Sequence, residues 1–351
     1  MKKHYIKGRG AQINTPDPYS KWVRDEEDGL PDLENKDLGK TKYIEVYPKT
    51  IVNKVPSPDV GMEYSLNPYQ GCEHGCIYCY ARNTHPYWGY SAGLDFERII
   101  LIKKNAPELL IQFLKRKSWE GNPIMLSGNT DCFQPVEKKL GITRKLLEIF
   151  LDFKNPVGLI TKNSLIRRDL DILTELSKMQ LVRVVISLST MNEKLRQKLE
   201  PRTASVKQRL ETIRVLSENK IPTMVMIAPI IPGLNGHEIF DVVRAAAECG
   251  AKKAGYIVVR LNGDLQSLFI DWMEKNFPER KNKVLNQVAE LHGGKLNDHR
   301  FSIRMKGEGK FAEMVAAQFQ LAIRKYLTPA DWPELNSDLF IKSKIKQLRL
   351  F

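Results

Sequence analysis

The chain predicts an α/β fold of repeated βα units. Three observations carry this. Short apolar runs rich in Ile, Val and Leu alternate with longer amphipathic stretches between about residue 62 and residue 265. The runs are only three to seven residues long, short enough for strands buried on both faces of a parallel sheet. Each is separated from the next by room for one helix and two loops, which suits right-handed crossovers.

In order, strands are expected at 63–67, 124–126, 157–160, 182–188, 223–228 and 256–259. Helices are expected at 106–119, 142–153, 165–178, 206–219 and 238–249. Six βα units fall short of the eight of a closed barrel, so the pattern alone leaves a partial barrel or an open parallel sheet. Residues 1–60 are polar and weakly periodic, with an acidic Asp25-Glu26-Glu27-Asp28, and read as an irregular N-terminal arm. Residues 266–351 read as a mainly helical extension, with helices at 268–276, 282–291 and 311–326, a short strand at 301–305, and a basic tail from Ile341. The core then spans 61–265.

The chain has 351 residues, with 55 Lys plus Arg against 41 Asp plus Glu and a formal charge of +14. That balance suits a polyanionic partner or simply a soluble basic surface. No apolar run is long enough to span a membrane and no secretory signal opens the chain, so a cytoplasmic enzyme is expected.

Of the five cysteines, three lie in Asn67-Pro68-Tyr69-Gln70-Gly71-Cys72-Glu73-His74-Gly75-Cys76-Ile77-Tyr78-Cys79-Tyr80. Clustered thiols in an odd-numbered set argue against a disulfide framework. Thiolates at C-x3-C-x2-C spacing favour an iron–sulfur cubane, in which Cys72, Cys76 and Cys79 hold three irons and leave the fourth open. Zinc is the alternative, and His74 is its one local candidate for a fourth ligand. Cys249, on a helical pattern after three alanines, reads as core.

C-x3-C-x-Tyr-C after a strand and before βα repeats resembles the radical S-adenosylmethionine superfamily. Ser127-Gly-Asn-Thr-Asp-Cys-Phe-Gln-Pro-Val-Glu137 and Glu200-Pro-Arg-Thr-Ala-Ser205 resemble the branch related to spore photoproduct lyase, over about residues 60 to 325. The resemblance implies a partial (β/α)6 TIM-like barrel, a 4Fe–4S cluster, S-adenosylmethionine as cosubstrate, and an electron donor such as flavodoxin or ferredoxin. It implies hydrogen abstraction by a 5′-deoxyadenosyl radical, on a nucleic acid or on a small molecule, peptide or protein. A zinc-bearing nucleic-acid module is the competing class.

By the same resemblance, Tyr78 fills the aromatic position before the third cysteine. Thr130 and Asp131 occupy the place of the motif that receives the methionine amino group. Lys162 reaches the cofactor carboxylate or ribose, or else belongs to a helix-capping turn with Asn163 and Ser164. Ser187 ends the fourth strand, Arg202 either clamps a carboxylate or forms a surface ion pair, and Ala228 opens a Pro-rich loop that would line the adenine or has no special role. Cys132 is either the hydrogen-returning thiol of the lyases, displaced in sequence, or a small buried residue.

Overall fold

The computed structural model describes residues 5–16, 40–327 and 332–342. The acidic Asp25–Asp28 stretch and most of the basic tail lie outside them. Ten strands form among the described residues: β1 (Lys42–Val46), β2 (Val52–Lys54), β3 (Tyr64–Leu66), β4 (Tyr69–Gln70), β5 (Ile99–Lys103), β6 (Ile124–Leu126), β7 (Val157–Thr161), β8 (Val182–Ser187), β9 (Thr223–Ile230) and β10 (Lys253–Val258).

The main sheet has seven strands in the order β10-β9-β8-β7-β6-β3-β2. The six from β3 to β10 pair in parallel and follow one another in chain order, and β2 adds an antiparallel edge. All six expected strands are therefore present, wound in a single direction. Leu66, Ile124, Leu126, Val157, Leu159, Val184, Ile186 and Val225 are shut away from solvent, as the uninterrupted apolar runs require.

The helices that cover the sheet bury one stripe each. They follow in order: α1 (Leu94–Arg98), α2 (Ala106–Leu114), α3 (Glu137–Leu140), α4 (Ile142–Asp152), α5 (Leu170–Lys178), α6 (Glu193–Leu199), α7 (Val206–Glu218) and α8 (Ile239–Glu248). Helix α4 inserts Leu146, Leu147 and Phe150 into the core and leaves Lys145 and Glu148 outside. The Asn192 side chain caps α6 and Ser205 caps α7. No described helix is long and apolar enough to cross a membrane.

Two expectations are corrected. The arm carries β1 and β2 rather than irregular chain alone. Strand β1 pairs in parallel with β5, and β5 pairs antiparallel with β4, making a second, three-stranded sheet. The expected strand at 301–305 is instead a single helical turn, α11 (Ile303–Lys306), after α9 (Leu265–Asn276) and α10 (Lys281–Leu291) and before α12 (Gly309–Tyr326). Its backbone is pinned from outside the sheet: the Ser302 N–H donates to Asp59 Oδ1 at 2.7 Å, and Arg304 donates to Asp59 Oδ2 and Ser57 Oγ. Residues 332–342 return across the N-terminal ends of the strands, where the Asn336 N–H bonds Gln180 O and the Ile341 N–H bonds Phe153 O. The opposite, C-terminal ends carry the site.

Candidate metal centre and active site

Strand β4 delivers the chain directly into the cysteine loop. The Cys72 N–H donates to Phe96 O at 2.8 Å, the Gly75 N–H to Cys72 O at 3.4 Å, the Ile77 N–H to Leu199 O at 3.0 Å and the Cys79 N–H to Cys76 O at 3.3 Å. Gly71 and Gly75 both have positive φ, at 79° and 68°. A Cβ at Gly75 would also press on the Glu97 carboxylate at 2.7 Å, so the loop needs glycine there twice over.

All three loop thiols are free; Cys72 and Cys76 are buried and Cys79 is half-buried. Burial pushes each thiol above its ordinary value. Asp131 pushes Cys72 further, Glu200 pushes Cys76 further, and Cys76 and Cys79 add to the effect on Cys72. Neighbouring thiols that resist ionisation in this way become stable thiolates when a cationic centre takes the place of their protons. Among the described residues, no set of three His, Cys, Asp or Glu side chains is gathered closely enough to share one metal ion. His74, the expected fourth zinc ligand, is engaged at both nitrogens, with Asp131 Oδ2 3.3 Å from Nδ1 and Asn163 Nδ2 3.2 Å from Nε2. A three-thiol donor set with no free fourth ligand fits a cubane, whose irons sit on separate corners, better than a tetrahedral zinc.

The end of β6 is locked to the loop. The Asp131 carboxylate accepts the Thr161 hydroxyl at 2.8 Å, the Lys162 N–H at 2.8 Å and the Phe133 N–H at 2.9 Å, besides facing His74. Burial opposes its charge, but these partners hold the carboxyl below the usual range. Thr130 is buried and donates its hydroxyl to Tyr69 O at 2.6 Å. Asp131 and Thr130 thus brace the cysteine loop against β6 and β7. Cys132 is fully buried in the main core; its N–H bonds Ser127 Oγ, and burial drives its thiol well above the ordinary value.

The second group gathers at the ends of β7 and β8. Glu200, fully buried, accepts the Tyr78 hydroxyl and the Ser189 hydroxyl, and ion-pairs with the buried Arg209. Burial would raise the Glu200 carboxyl, but Arg209 and Lys162 outweigh it and hold it at about 2. The Lys162 ammonium lies 6.0 Å from the centre of the Tyr78 ring. Burial alone would lower it, but the Cys76 thiol and Glu200 raise it instead. The capping turn after it is real as well, because Asn163 Oδ1 accepts the Leu165 N–H. Ser187 is buried at the end of β8 with its hydroxyl unpartnered. Ala228 stands within β9, half-buried, and does not open a loop as expected: the strand runs on through Pro229 to Ile230 and turns only at Pro232.

Arg202 points elsewhere. Its guanidinium bonds Glu73 Oε1 at 3.3 Å and Thr41 at 3.4 Å, and its N–H bonds His74 O, so it ties the outer face of the cysteine loop to the region before β1.

Sequence reasoning missed Glu97. Its carboxylate accepts the N–H groups of Gly10 and Ala11 at 3.0 and 2.8 Å and pairs with the fully buried Arg82. The segment 5–16 is thereby strapped over the cysteine loop. A Cβ at Gly10 would overlap the carbonyl of Gly75. Neither partner carries a motif, so no sequence signal marks the strap.

The sequence pattern of the Radical SAM superfamily matches residues 66–246. An uncharacterised protein of Mycobacterium tuberculosis is 30% identical over 71% of this chain and 73% of its own length. One of Methanocaldococcus jannaschii is 28% identical over 71% and 89%. A radical SAM Nalpha-GlyT isomerase of Pseudomonas phage M6 is 24% identical over 65% of this chain and 46% of that one. Spore photoproduct lyase complexed with dinucleoside spore photoproduct shares the fold with a TM-score of 0.62, at 16% identity, over 88% of this chain and 86% of that one. The cysteine loop, the strand order and these matches agree: the chain belongs to the radical SAM superfamily, whose members work with a 4Fe–4S cluster and S-adenosylmethionine.

Proposed function

We propose that this protein cleaves S-adenosylmethionine reductively and uses the radical to abstract hydrogen from a nucleic acid, in a repair or modification reaction. In this reading residues 61–265 form the catalytic core, curved into a partial (β/α)6 barrel, and Cys72, Cys76 and Cys79 hold the cluster. A 4Fe–4S cluster held there would supply the one electron needed to cleave the sulfonium of S-adenosylmethionine into methionine and a 5′-deoxyadenosyl radical.

The chain's own residues do the rest. Lys162 stays cationic beside Glu200 and presents its ammonium next to the cysteine loop, where a carboxylate of the cosubstrate would be held. Tyr78, fixed by its bond to Glu200, forms the wall behind it. The unpartnered Ser187 hydroxyl is available to a ribose or carboxylate oxygen. Ala228 and the turn after it line the adenine. Thr130 and Asp131 act through the loop they brace, and Arg202 through its outer face. Cys132 is assigned to packing, since it sits in the core with no solvent access.

One observation carries the proposal: three free thiols, two buried and one half-buried, beside a half-buried lysine at the C-terminal ends of six parallel strands. The +14 charge and the likeness to a lyase solved with a dinucleoside photoproduct favour a nucleic acid over a metabolite or peptide. The test is anaerobic reconstitution with iron and sulfide, reduction by a flavodoxin or ferredoxin system, and assay for 5′-deoxyadenosine. Deuterium transfer from labelled oligonucleotides into that product supports the substrate class. Transfer only from small metabolites or peptides overturns it.

A further inference from the structure

Arg260, just past the end of β10, is a strand-end cation with no task in the site described above. It follows β10 between Val259 and Leu261, both buried. The Val259 N–H bonds Ile230 O and the Leu261 N–H bonds Leu296 O, each at 2.9 Å, so the stretch is extended and Arg260 faces away from its two buried neighbours. Its guanidinium is half-buried within electrostatic reach of Arg304, Tyr80 and Asp59. Among the described residues it makes no hydrogen bond and no ion pair.

The surroundings explain why it is unpaired. Asp59 is already taken: Oδ1 accepts the Ser302 N–H and Oδ2 accepts Arg304 Nε at 2.6 Å. Arg304 lies 4.4 Å over the exposed Phe301 ring. Tyr80 is also exposed, follows the last cluster cysteine, and donates its hydroxyl to Gly128 O beyond the end of β6. A half-buried guanidinium with five donors and no acceptor is poorly satisfied, and a second guanidinium close by makes it worse. An oxyanion would give Arg260 the acceptor it lacks, and the exposed rings of Tyr80 and Phe301 suit a base next to that anion.

We infer that Arg260 is the phosphodiester contact of a single-stranded nucleic-acid substrate, with Arg304 adding to the positive field and Tyr80 and Phe301 flanking the adjacent base. This rests on the nucleic-acid reading above and names the place where that substrate is gripped. Lysines spread over the surface would bind nucleic acid diffusely; Arg260 fixes the strand at the mouth of the site.

The test uses the full-length, reconstituted protein and short fluorescent oligothymidylate and oligouridylate, read by anisotropy over a range of salt concentrations. Arg260→Ala is expected to raise the Kd about tenfold and to flatten the salt dependence by about 0.7 in slope, the share of one phosphate contact on a single strand. Arg260→Lys is expected to keep the slope and lose about threefold in Kd, because it keeps the charge without the fork. Arg260→Gln and the iron content of each variant guard against misfolding. Lys252→Ala, exposed at the other end of β10, is the control, with a change under about twofold. Preference between the two oligonucleotides tells DNA from RNA. Unchanged binding in the Arg260 variants, or an equal loss in Lys252→Ala, overturns the inference and leaves the nucleic-acid reading standing. Failure of the unaltered protein to bind either oligonucleotide at low salt overturns both.

Discussion

Glu200 and Arg209 form an ion pair from which solvent is excluded on both sides, with side chains 0% and 1% exposed. Arg209 also donates to Ser187 O at 2.9 Å and Ala204 O at 3.0 Å, so the pair joins the end of β8 to the turn before α7. Removing one partner leaves a buried charge alone. Glu200→Ala is expected to destabilise the fold by about 3–5 kcal/mol in chemical denaturation. Glu200→Gln, which can still accept from Tyr78 and Ser189, is expected to be milder.

The same pair sets an acid limit. The Glu200 carboxyl is depressed from 4.5 to about 2 on folding. Its contribution is therefore complete above the unfolded value and is lost as pH falls from about 4.5 towards about 2. Denaturation midpoints measured across that range are expected to fall more steeply for the unaltered protein than for Glu200→Gln.

The five cysteines divide by environment. Cys72→Ala, Cys76→Ala and Cys79→Ala are each expected to abolish the iron–sulfur absorption of the reconstituted protein. Cys132→Ala and Cys249→Ala are expected to retain it, with Cys132→Ala losing about 1–2 kcal/mol of stability through the small cavity it opens in the core. Iron and sulfide analysis alongside denaturation separates the two groups.

Lys162 lies 6.0 Å from the Tyr78 ring and within electrostatic reach of Cys76 and Cys79. Lys162→Met is expected to weaken S-adenosylmethionine binding about tenfold or more, in line with the loss of one charge-assisted contact of about 1.5–3 kcal/mol. Iron content is expected to be unchanged. Equilibrium dialysis on the oxidised, reconstituted protein reads both.

The strap over the loop is expected to slow damage by oxygen. Gly10→Ala forces a methyl group into the Gly75 carbonyl, and Glu97→Gln weakens the hold on Gly10 and Ala11. Either change is expected to speed bleaching of the cluster in air about tenfold, the equivalent of about 1.4 kcal/mol of local opening.

The parallel core was legible because its strands are continuous apolar runs and its helices keep a clean stripe. Residues 124–126 and 157–160 needed no tertiary information. The run Ile99-Ile-Leu-Ile-Lys103 carried the same signal but went unread, and with it the second sheet. Strands β1 and β2 are mostly exposed and carry no buried apolar run, so only their pairing reveals them. The loop cysteines could be found from spacing alone. Glu97, Arg82 and Arg209 could not, since a buried ion pair is made by residues far apart in sequence that look like any surface charge. Arg202 showed the converse: a motif position whose side chain turns out to serve Glu73.

Asp131 has both carboxylate oxygens engaged, and its partners sit on three separate stretches of chain. A substitution at 131 strips both His74 and Thr161 of the acceptor they share, and one at 74 or 161 takes a partner from the buried carboxylate. Among related proteins these three positions are therefore expected to change together or not at all, and a lineage that drifted at one of them would pass through an intermediate with a loosened cysteine loop.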